Sequence, residues 1–451
     1  ASSDARRLLE PLGRLVQNVP HQNVLALTGL GRRRHGGQQI LGQEVVHRLG
    51  HRLPFVSARG FGLGELAPIQ RRSLILVYAS SLTLMMGVNL IQPALPAMQG
   101  PLGVSDGAVG WVMAAYTAPA IFLAPLLGIV ADLYGRRMLL VGGLMIFGLA
   151  GSAIVFAPTF QWVLILRAVQ GIGFSAVLPL TIVLIGDLLE GDREVGGQGL
   201  KVFLDRVGYL ILPPLGGVLA TIAWFWPFTL YILAVPLSLL VFAWMPETKG
   251  KGQTQAWSYL KEIASLARHP RLVIAFAAGF LRFFLDYGFL TYLAIFLVRT
   301  HGVSTATAGF LFVFYAVGAM VTSSQAGRLA ARYDKAQLLF VAFVVSGLGL
   351  VVVPMMPSVG LVSVPLIFYG LANGVISPMQ KSLLTQNAPR ELRGGIVAVD
   401  RLIQQVSKTL STSVVGLLLV TIDIAKIFWI LGTLSFISVG LMATLLPRGG
   451  K

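Results

Sequence analysis

The sequence predicts an all-helical integral membrane protein with twelve transmembrane helices in two pseudo-symmetric six-helix halves. The 451 residues are 55% hydrophobic and only 12% charged, with a mean hydropathy of +0.77. A soluble domain carries about 25% charged residues. Twelve apolar runs are long enough to cross a bilayer, which takes about 20 residues. A polar segment separates the first six runs from the last six, and this spacing predicts the two halves.

The predicted domains follow one another along the chain. They are an N-terminal tail, a six-helix bundle, a cytoplasmic linker, a second bundle and a short C-terminal tail: 1–72, 73–245, 246–271, 272–446 and 447–451. The spans are expected near 73–97, 106–131, 138–156, 162–187, 197–222, 225–245, 272–298, 305–327, 337–356, 360–385, 395–420 and 424–446. Apolar residues of the linker fall at helical spacing, which predicts a short amphipathic helix that connects the halves at the membrane surface.

The N-terminal tail differs in composition from the rest of the chain. It is rich in Arg, Gln, His and Gly, contains no Lys, and has no apolar run of membrane length. It also lacks the arrangement of a secretory signal. Three interpretations are open: non-native sequence from a mis-set start or a fragment, a disordered basic cytoplasmic tail, or an organellar transit segment.

The loop charges predict the orientation. Most lysines and arginines of the short loops lie on one side, and the other side has little beyond Arg299 and Lys426. Loops rich in Lys and Arg face the cytoplasm. We therefore expect a multi-pass protein of the cell membrane with both termini inside. The net charge of +17 then reflects topology and the basic tail, and no nucleic-acid partner is needed to explain it.

The sequence disfavours several kinds of chemistry. The absence of cysteine excludes disulfides and thiolate metal sites. The spans contain no Ser/His, paired-Asp or His–Glu metal arrangement, and the chain has no Gly-x-x-x-x-Gly-Lys-Ser/Thr nucleotide loop. We therefore expect no enzyme, no cofactor, no metal centre and no nucleotide-driven pump.

A repeated string supports the two-half organisation. REVGG at 193–197 precedes the fifth span and is followed by Asp-Arg at 205–206; RELRGG at 390–395 precedes the eleventh and is followed by Asp-Arg at 400–401. Such repeats are typical of two halves related by an axis along the membrane normal. We expect each Asp-Arg pair to be mainly structural.

The loop between the second and third spans reads GIVADLYGRR. It carries two glycines, an acid and two arginines at fixed spacing: Gly128, Asp132, Gly135, Arg136 and Arg137. This order resembles the signature loop of the major facilitator superfamily of secondary transporters. The resemblance implies a gating latch between the halves that holds the outward-open state. Simple positive-inside anchoring, the alternative, explains the arginines but not the acid and the glycines. The matching loop of the second half, 327–335, keeps only part of the motif: Ala331 stands in place of the acid and Asp334 in place of the second glycine.

The fourth span carries Arg167, Gln170 and Gly171, which resemble the second motif of that family, Arg-x-x-Gln-Gly. An arginine at the bilayer centre costs about 2.5–3.5 kcal/mol on insertion scales, so it should face the protein interior. The resemblance implies that Arg167 assists proton transfer. The alternative is an arginine that snorkels to the outer interface.

The fifth span carries part of a motif of the antiporter branch, Gly-x-x-x-Gly-Pro-x-x-Gly-Gly, at Gly208, Pro213, Gly216 and Gly217. Leu212 replaces the second glycine of the motif, so the match is partial. Pro213 should kink the helix, and the last two glycines should pack closely against the facing half. The alternative is that these are ordinary packing residues of a membrane helix.

The seventh span holds Arg282 and Asp286, four residues apart and so on one helical face. A carboxyl group buried in an apolar span can take up and release a proton. The pair therefore predicts proton coupling or binding of a cationic substrate, and a self-satisfied structural ion pair is the alternative.

In the family, spans 1, 4, 7 and 10 line the cavity, which makes Asn89, Gln92 and Asn373 candidate substrate contacts. The role of Lys408 is unexplained.

These resemblances predict a secondary active transporter similar to the twelve-helix drug/proton antiporters. It would work by alternating access and export small amphipathic or drug-like compounds in exchange for protons, as a monomer in the lipid bilayer. A metabolite, sugar or organic-acid carrier, working as a symporter or uniporter, is the alternative. A non-transporting receptor or scaffold on this fold is a remote one. Many drug–proton antiporters carry an acid in the first span; this chain does not, so Asp286 is the main candidate for coupling.

Overall fold

The computed structural model describes residues 66–248, 270–387, 389 and 392–445, and every regular element within these residues is helical. The main helix of each predicted span is labelled here in chain order. These helices are α1 Pro68–Asn89, α2 Pro119–Tyr134, α3 Arg136–Ala153, α4 Phe160–Leu188, α5 Asp192–Ile222, α6 Ala234–Trp244, α7 Pro270–His301, α8 Thr305–Ser324, α9 Lys335–Val352, α10 Val359–Gln386, α11 Arg393–Leu418 and α12 Ile424–Leu445. The predicted all-helical fold is confirmed.

Short helical segments extend several of these helices. They are Gln92–Ala94 and Leu95–Leu102 after α1, Asp106–Val109 and Trp111–Thr117 before α2, Trp226–Thr229 and Leu230–Leu233 before α6, and Ala326–Arg332 after α8. The second span is thus divided, with Gly110 and Pro119 at its breaks. The amphipathic linker helix, residues 1–65 of the predicted tail and the C-terminal tail lie outside the described residues.

Ten helical segments among the described residues are long and apolar enough to cross a membrane. An eleventh, Ile424–Gly440 within α12, is apolar but shorter. The remaining predicted span is α11, whose apolar character is interrupted by Asp400, Arg401 and Lys408. A charged helix is stable inside a bundle only when its polar face packs inward. The departure from the apolar pattern therefore marks α11 as a helix with a polar interior face.

The helix contacts repeat between the two halves. In the first half α1 packs on α4, α5 and α6, and α3 packs on α4 and α6. In the second half α7 packs on α10, α11 and α12, and α9 packs on α10 and α12. Each contact of the first half has its counterpart six spans later. The pseudo-symmetry inferred from the repeated string is therefore present in the packing.

Two matched contacts join the halves: α5 packs on α8, and α11 packs on the second span. Small residues permit the first of these. A Cβ atom on Gly217 would lie 2.3 Å from the Thr305 carbonyl oxygen, and one on Gly309 would lie 2.5 Å from the Pro213 carbonyl oxygen. The Thr305 hydroxyl donates to the Gly217 carbonyl at 2.9 Å. Glycine is required here because the two backbones touch.

The prediction for the neighbouring glycine needs a correction. Gly216 was expected to face the other half, but a Cβ atom on it would lie 1.9 Å from the Leu90 carbonyl oxygen at the end of α1. It therefore packs within its own half, because consecutive helix positions point in different directions. Gly208 also faces α1, since a Cβ atom on it would lie 3.1 Å from the Leu82 side chain.

The α5–α8 contact generates a prediction. Gly309→Ala should lower the thermal midpoint of the purified protein, because overpacking of a close backbone contact costs about 1–3 kcal/mol. Gly360→Ala is the matched control, since nothing lies within 4 Å of its Cβ position. The measurement is scanning fluorimetry in detergent. Equal midpoints for the two variants would contradict the close packing described.

Candidate functional site

A buried carboxylate lies at the middle of α7 and connects three helices of the second half. Asp286 is only 4% exposed. The Tyr369 hydroxyl of α10 donates to its Oδ1 atom at 2.9 Å, and the Tyr315 hydroxyl of α8 donates to Oδ2 at 3.5 Å. Arg282 places Nη2 at 3.8 Å from Oδ2. The predicted pair on one face of α7 is therefore present, and its carboxylate also joins α8 and α10.

Arg282 makes its closer bond to a different residue. Its Nε donates to Oδ1 of Asn373 at 3.1 Å, and its guanidinium lies 4.5 Å from the centre of the Phe283 ring. Asn373 also donates to the Tyr369 carbonyl at 3.4 Å. This asparagine, predicted as a substrate contact, belongs to the same network as the acid. The arrangement is a shared polar network rather than an isolated ion pair.

Lys408, which the sequence left unexplained, faces the same region from α11. Its Nζ donates to Gln405 Oε1 at 2.7 Å and lies 4.7 Å from the centre of the Phe283 ring and 5.3 Å from that of Tyr287. A cation over aromatic faces gains about 0.5–2 kcal/mol, which offsets only part of the cost of leaving water. The sequence contained one signal for this position: a lysine within a membrane span is expected to face the protein interior, because a charge is costly in lipid.

Arg167 forms a separate cluster in the first half. It is fully buried, and its Nη2 donates to the Gly87 carbonyl at 2.9 Å, its Nη1 to Gln170 at 2.8 Å and its Nε to the Val112 carbonyl at 3.3 Å. Because its polar atoms are used inside the bundle, the snorkelling alternative is wrong. Arg167 instead joins spans 1, 2 and 4, and the described contacts do not bring it to Asp286.

The aromatic and glycine neighbours complete this cluster. The Tyr116 ring lies 4.6 Å and the Phe228 ring 5.8 Å from the Arg167 guanidinium. Gly171, the last residue of the motif, allows the second span to approach, since a Cβ atom there would lie 2.3 Å from the Tyr116 carbonyl oxygen. The motif residues thus act together to position the second span on α4.

This geometry predicts that Arg167→Lys destabilises the protein. A lysine cannot reach two carbonyls and Gln170 at once, and each lost hydrogen bond to a charged group costs about 1.5–3 kcal/mol. Arg332→Lys is the control, because Arg332 is exposed and its guanidinium lies over the Tyr333 ring, with no hydrogen bond or ion pair to another of the described residues. The thermal midpoint in detergent measures the difference. A midpoint for Arg167→Lys that matches the control would show that the three bonds are dispensable.

The turn between α2 and α3 is bonded to the C-terminal end of α4 and to the residues that directly follow α6. Gly135 directly follows α2 and adopts φ +98°, a backbone conformation that glycine reaches readily. Arg136 pairs with Asp187 of α4. The Arg137 N–H donates to Glu247 Oε1 at 2.9 Å, and its side chain lies 3.5 Å from Oε2. These contacts tie the turn to its own half.

The acids that hold this turn were missed from the sequence. Both acids lie at the predicted inner ends of their spans. Glu247 is isolated among basic residues, which was an available signal, whereas Asp187 is the first of four acids at 187–194 and nothing distinguishes it from the others. Gly128 and Asp132 lie in α2, but the Asp132 side chain and the surroundings of Gly128 are outside the described part of the structure. The latch between the halves therefore stays a prediction.

Gly135 offers a test of the turn. A Cβ atom there would lie 2.5 Å from Glu247 Oε1, and positive φ adds a cost of about 1–2 kcal/mol for an L-residue. Gly135→Ala should therefore lower the thermal midpoint by displacing Glu247 from Arg137. Gly142→Ala in α3, with open space at its Cβ, should not. An unchanged midpoint in both variants would mean that Glu247 does not hold the turn.

The other predicted polar positions are buried among packed helices. Asn89 is 3% exposed and donates to the Met85 carbonyl of its own helix, and Gln92 is also 3% exposed. The structure does not bring them to Asp286; their role as substrate contacts stays a prediction.

The repeated Asp-Arg pairs need a correction, because neither carboxylate pairs with the adjacent arginine. Asp205 accepts from Lys201 at 2.7 Å and from Ser81 at 2.8 Å. Asp400 accepts from Gln380 at 2.8 Å and from Gln404 at 2.6 Å. Adjacent residues of a helix point in different directions, so each acid meets partners one turn away or on another helix.

Comparison with known proteins identifies the family. The model of the Major Facilitator Superfamily matches residues 77–412 and, in a second match, 276–451. The chain therefore belongs to the major facilitator superfamily and is a multi-pass membrane transporter of small molecules.

Individual relatives agree with this assignment. The chain is 27% identical over 342 residues to a bacillibactin exporter of Bacillus subtilis (strain 168), covering 72% of this chain and 84% of the relative. It is 26% identical to the multi-drug resistance efflux pump PmrA homolog of Lactococcus lactis subsp. lactis (strain IL1403), with coverages of 71% and 82%.

A solved structure shares the fold. The inward-facing, occupied bacterial homolog of the human lysosomal transporter Spinster superposes with a TM-score of 0.70 at 15% identity. The match covers 84% of this chain and 97% of that one. At this identity the likeness supports the fold alone.

Proposed function

We propose that this transporter is a proton-coupled exporter of small amphipathic compounds that works by alternating access. It would lie in the cell membrane with both termini in the cytoplasm and act as a monomer. Two relatives that match most of the chain are named as exporters of bacillibactin and of drugs, which supports export. The antiporter-like motif of α5 supports exchange, since Gly217 lies at the contact between the halves.

The Asp286 network carries the proposal. Its two carboxylate oxygens accept from Tyr369 of α10 and Tyr315 of α8, and Oδ2 also lies 3.8 Å from Nη2 of Arg282 in α7. An ionised carboxylate only accepts hydrogen bonds, whereas the protonated acid also donates one. Protonation therefore removes the attraction to Arg282 and changes the bonding to the two tyrosines. One proton thus changes how three helices are held together.

The packing of α8 transmits this change to the other half. Tyr315 lies on α8, and α8 is the helix of the second half that packs on α5. A loosened contact between Asp286 and Tyr315 biases the position of α8 and so the α5–α8 contact. Proton entry from the outside would favour one end state, and release to the inside the other. The latch turn would stabilise one of these states.

Arg167 has a positioning role in this mechanism. Its bonds keep spans 1, 2 and 4 as a unit while the contact between the halves changes.

Small-molecule binding would occur between the halves near Asp286, where Arg282 and Lys408 also face inward. Whether Arg167 also assists proton transfer is tested by the pH profile of Arg167→Lys transport, which is unchanged if its role is positioning only.

The test uses the full-length protein in proteoliposomes that contain a pH-sensitive dye. A proton gradient is imposed, a panel of anionic, neutral and cationic amphipaths is added, and proton movement is recorded. We expect substrate-triggered proton movement in the wild type and a decrease of at least about tenfold in Asp286→Asn, because the amide cannot exchange a proton.

Asp423→Asn is the matched control. Asp423 is exposed and caps α12 through a bond to the Ala425 N–H, a role that asparagine fills equally well. This variant should retain wild-type proton movement. Transport by Asp286→Asn with an unchanged pH dependence would remove Asp286 from the coupling mechanism. Transport without proton movement in the wild type would overturn proton coupling itself.

A further inference from the structure

The donors around Lys408 are not fully used. The ammonium group has three N–H donors, and the described residues show one hydrogen bond from it, to Gln405 Oε1. Among the residues that the structure describes, no carboxylate forms an ion pair with Lys408. Its other neighbours are the faces of Phe283 and Tyr287. Two donors of a half-buried cation are therefore available to a ligand.

Gln405 supplies a further donor at the same place. Its side chain is 4% exposed, and its Nε2 is buried without a hydrogen-bond partner. The orientation of this amide is fixed, because lysine can only donate and the oxygen must face it. A buried amide N–H without an acceptor is unfavourable because it has lost its hydrogen bonds to water, so an acceptor is expected when the site is in use.

The local charges also favour an anion. Arg282 and Lys408 both lie over the Phe283 ring, at 4.5 Å and 4.7 Å from its centre. Arg401 also repels the charge of Lys408 at longer range, and the charges of Asp286 and Asp400 offset part of this repulsion. Two like charges around one ring form an electropositive site that attracts negative charge.

The two nearby acids already have donors. Asp286 is held by the two tyrosines and faces Arg282, and Asp400 accepts from Gln380 and Gln404. No described carboxylate neutralises the charge of Lys408 through direct contact. Arg206 and Lys381 are further cations of this region, and Asp205, a third acid, already pairs with Lys201.

We propose that Lys408 and Gln405 bind the anionic group of the transported compound, which makes the substrate an amphipathic organic anion such as an aromatic carboxylate. The inference rests on the proposed function and specifies its substrate class. The carboxylate accepts from the spare donors of Lys408 and from Gln405 Nε2. Phe283 and Tyr287 are both half-buried, so their faces contact the apolar body of the same molecule.

A matched set of probes tests the charge preference. Pyrenebutyrate, its methyl ester and pyrenebutyl trimethylammonium share one aromatic body and differ in charge. Binding to the full-length protein in lipid nanodiscs is measured by energy transfer from tryptophan to pyrene, with protein-free discs subtracted. We expect the carboxylate to bind at least about tenfold more tightly than the ester, and the cation to bind weakest.

Three variants test whether Lys408 is responsible for the preference for the carboxylate probe over its ester. Lys408→Gln should bind carboxylate and ester within about twofold of each other, whereas Lys408→Arg, which keeps the charge, should retain most of the preference. Lys426→Gln removes an exposed charge of α12 and should behave as the wild type. Unchanged ester binding shows that each variant is folded.

The cysteine-free chain permits a rescue experiment. Lys408→Cys introduces a unique thiol, and reaction with aminoethyl methanethiosulfonate places a cation at that position again. This reagent should restore the carboxylate preference, and the neutral methyl reagent should not. The experiment remains informative if Lys408→Gln fails to fold, because both modified samples derive from one preparation.

The outcomes separate this inference from the proposed function. Equal binding of the three probes by the wild type, tighter binding of the cation, or a preference that survives in Lys408→Gln would overturn the anion site while leaving proton coupling intact. The converse result is carboxylate binding that depends on Lys408 but no proton movement in the proteoliposomes. This result would overturn proton coupling and support the anion site.

Discussion

A charge inside an apolar span is stable only when protein groups replace the water it has lost, and this constraint organises the interior of the transporter. Arg167 meets it with two backbone carbonyls and Gln170. Asp286 meets it with two tyrosines and Arg282. In both cases the hydrogen-bond partners of the buried charge come from several helices. The positions of the buried charges therefore decide which helices are held together within each half.

The two halves share their packing but differ in their use of charge. The first half contains an arginine satisfied by neutral groups, an arrangement that is indifferent to protonation. The second half contains a carboxylate held by hydroxyl groups and a lysine with spare donors. In the proposed mechanism, the same helix scaffold therefore holds a fixed unit in the first half and the proton-responsive, anion-binding region in the second. The α5–α8 glycine contact, where backbones touch, links the two.

Much of the fold could be read from the sequence, because a span is identified by local composition and length alone. The pairing of Arg282 and Asp286 was also predictable, since helix geometry fixes which residues share a face. The hydrogen-bond partners that lie on other helices could not be predicted from the sequence. Tyr315 and Tyr369 lie far along the chain from Asp286, and nothing local marks them as its donors. For the same reason Gly216 was placed at the wrong contact, and the partners of Asp205 and Asp400 were missed.

The sequence by itself determined the membrane setting, the helical class, the repeated halves and the positions at which charges enter the spans. These properties follow from hydropathy, periodicity and short motifs, all of which are local. The tertiary structure alone decided that Lys408 faces Phe283 beside Arg282, that Arg167 points to carbonyls, and that Glu247 holds the turn at Gly135. Such contacts depend on helix rotation and neighbour order, which are set by the packing of all the spans together.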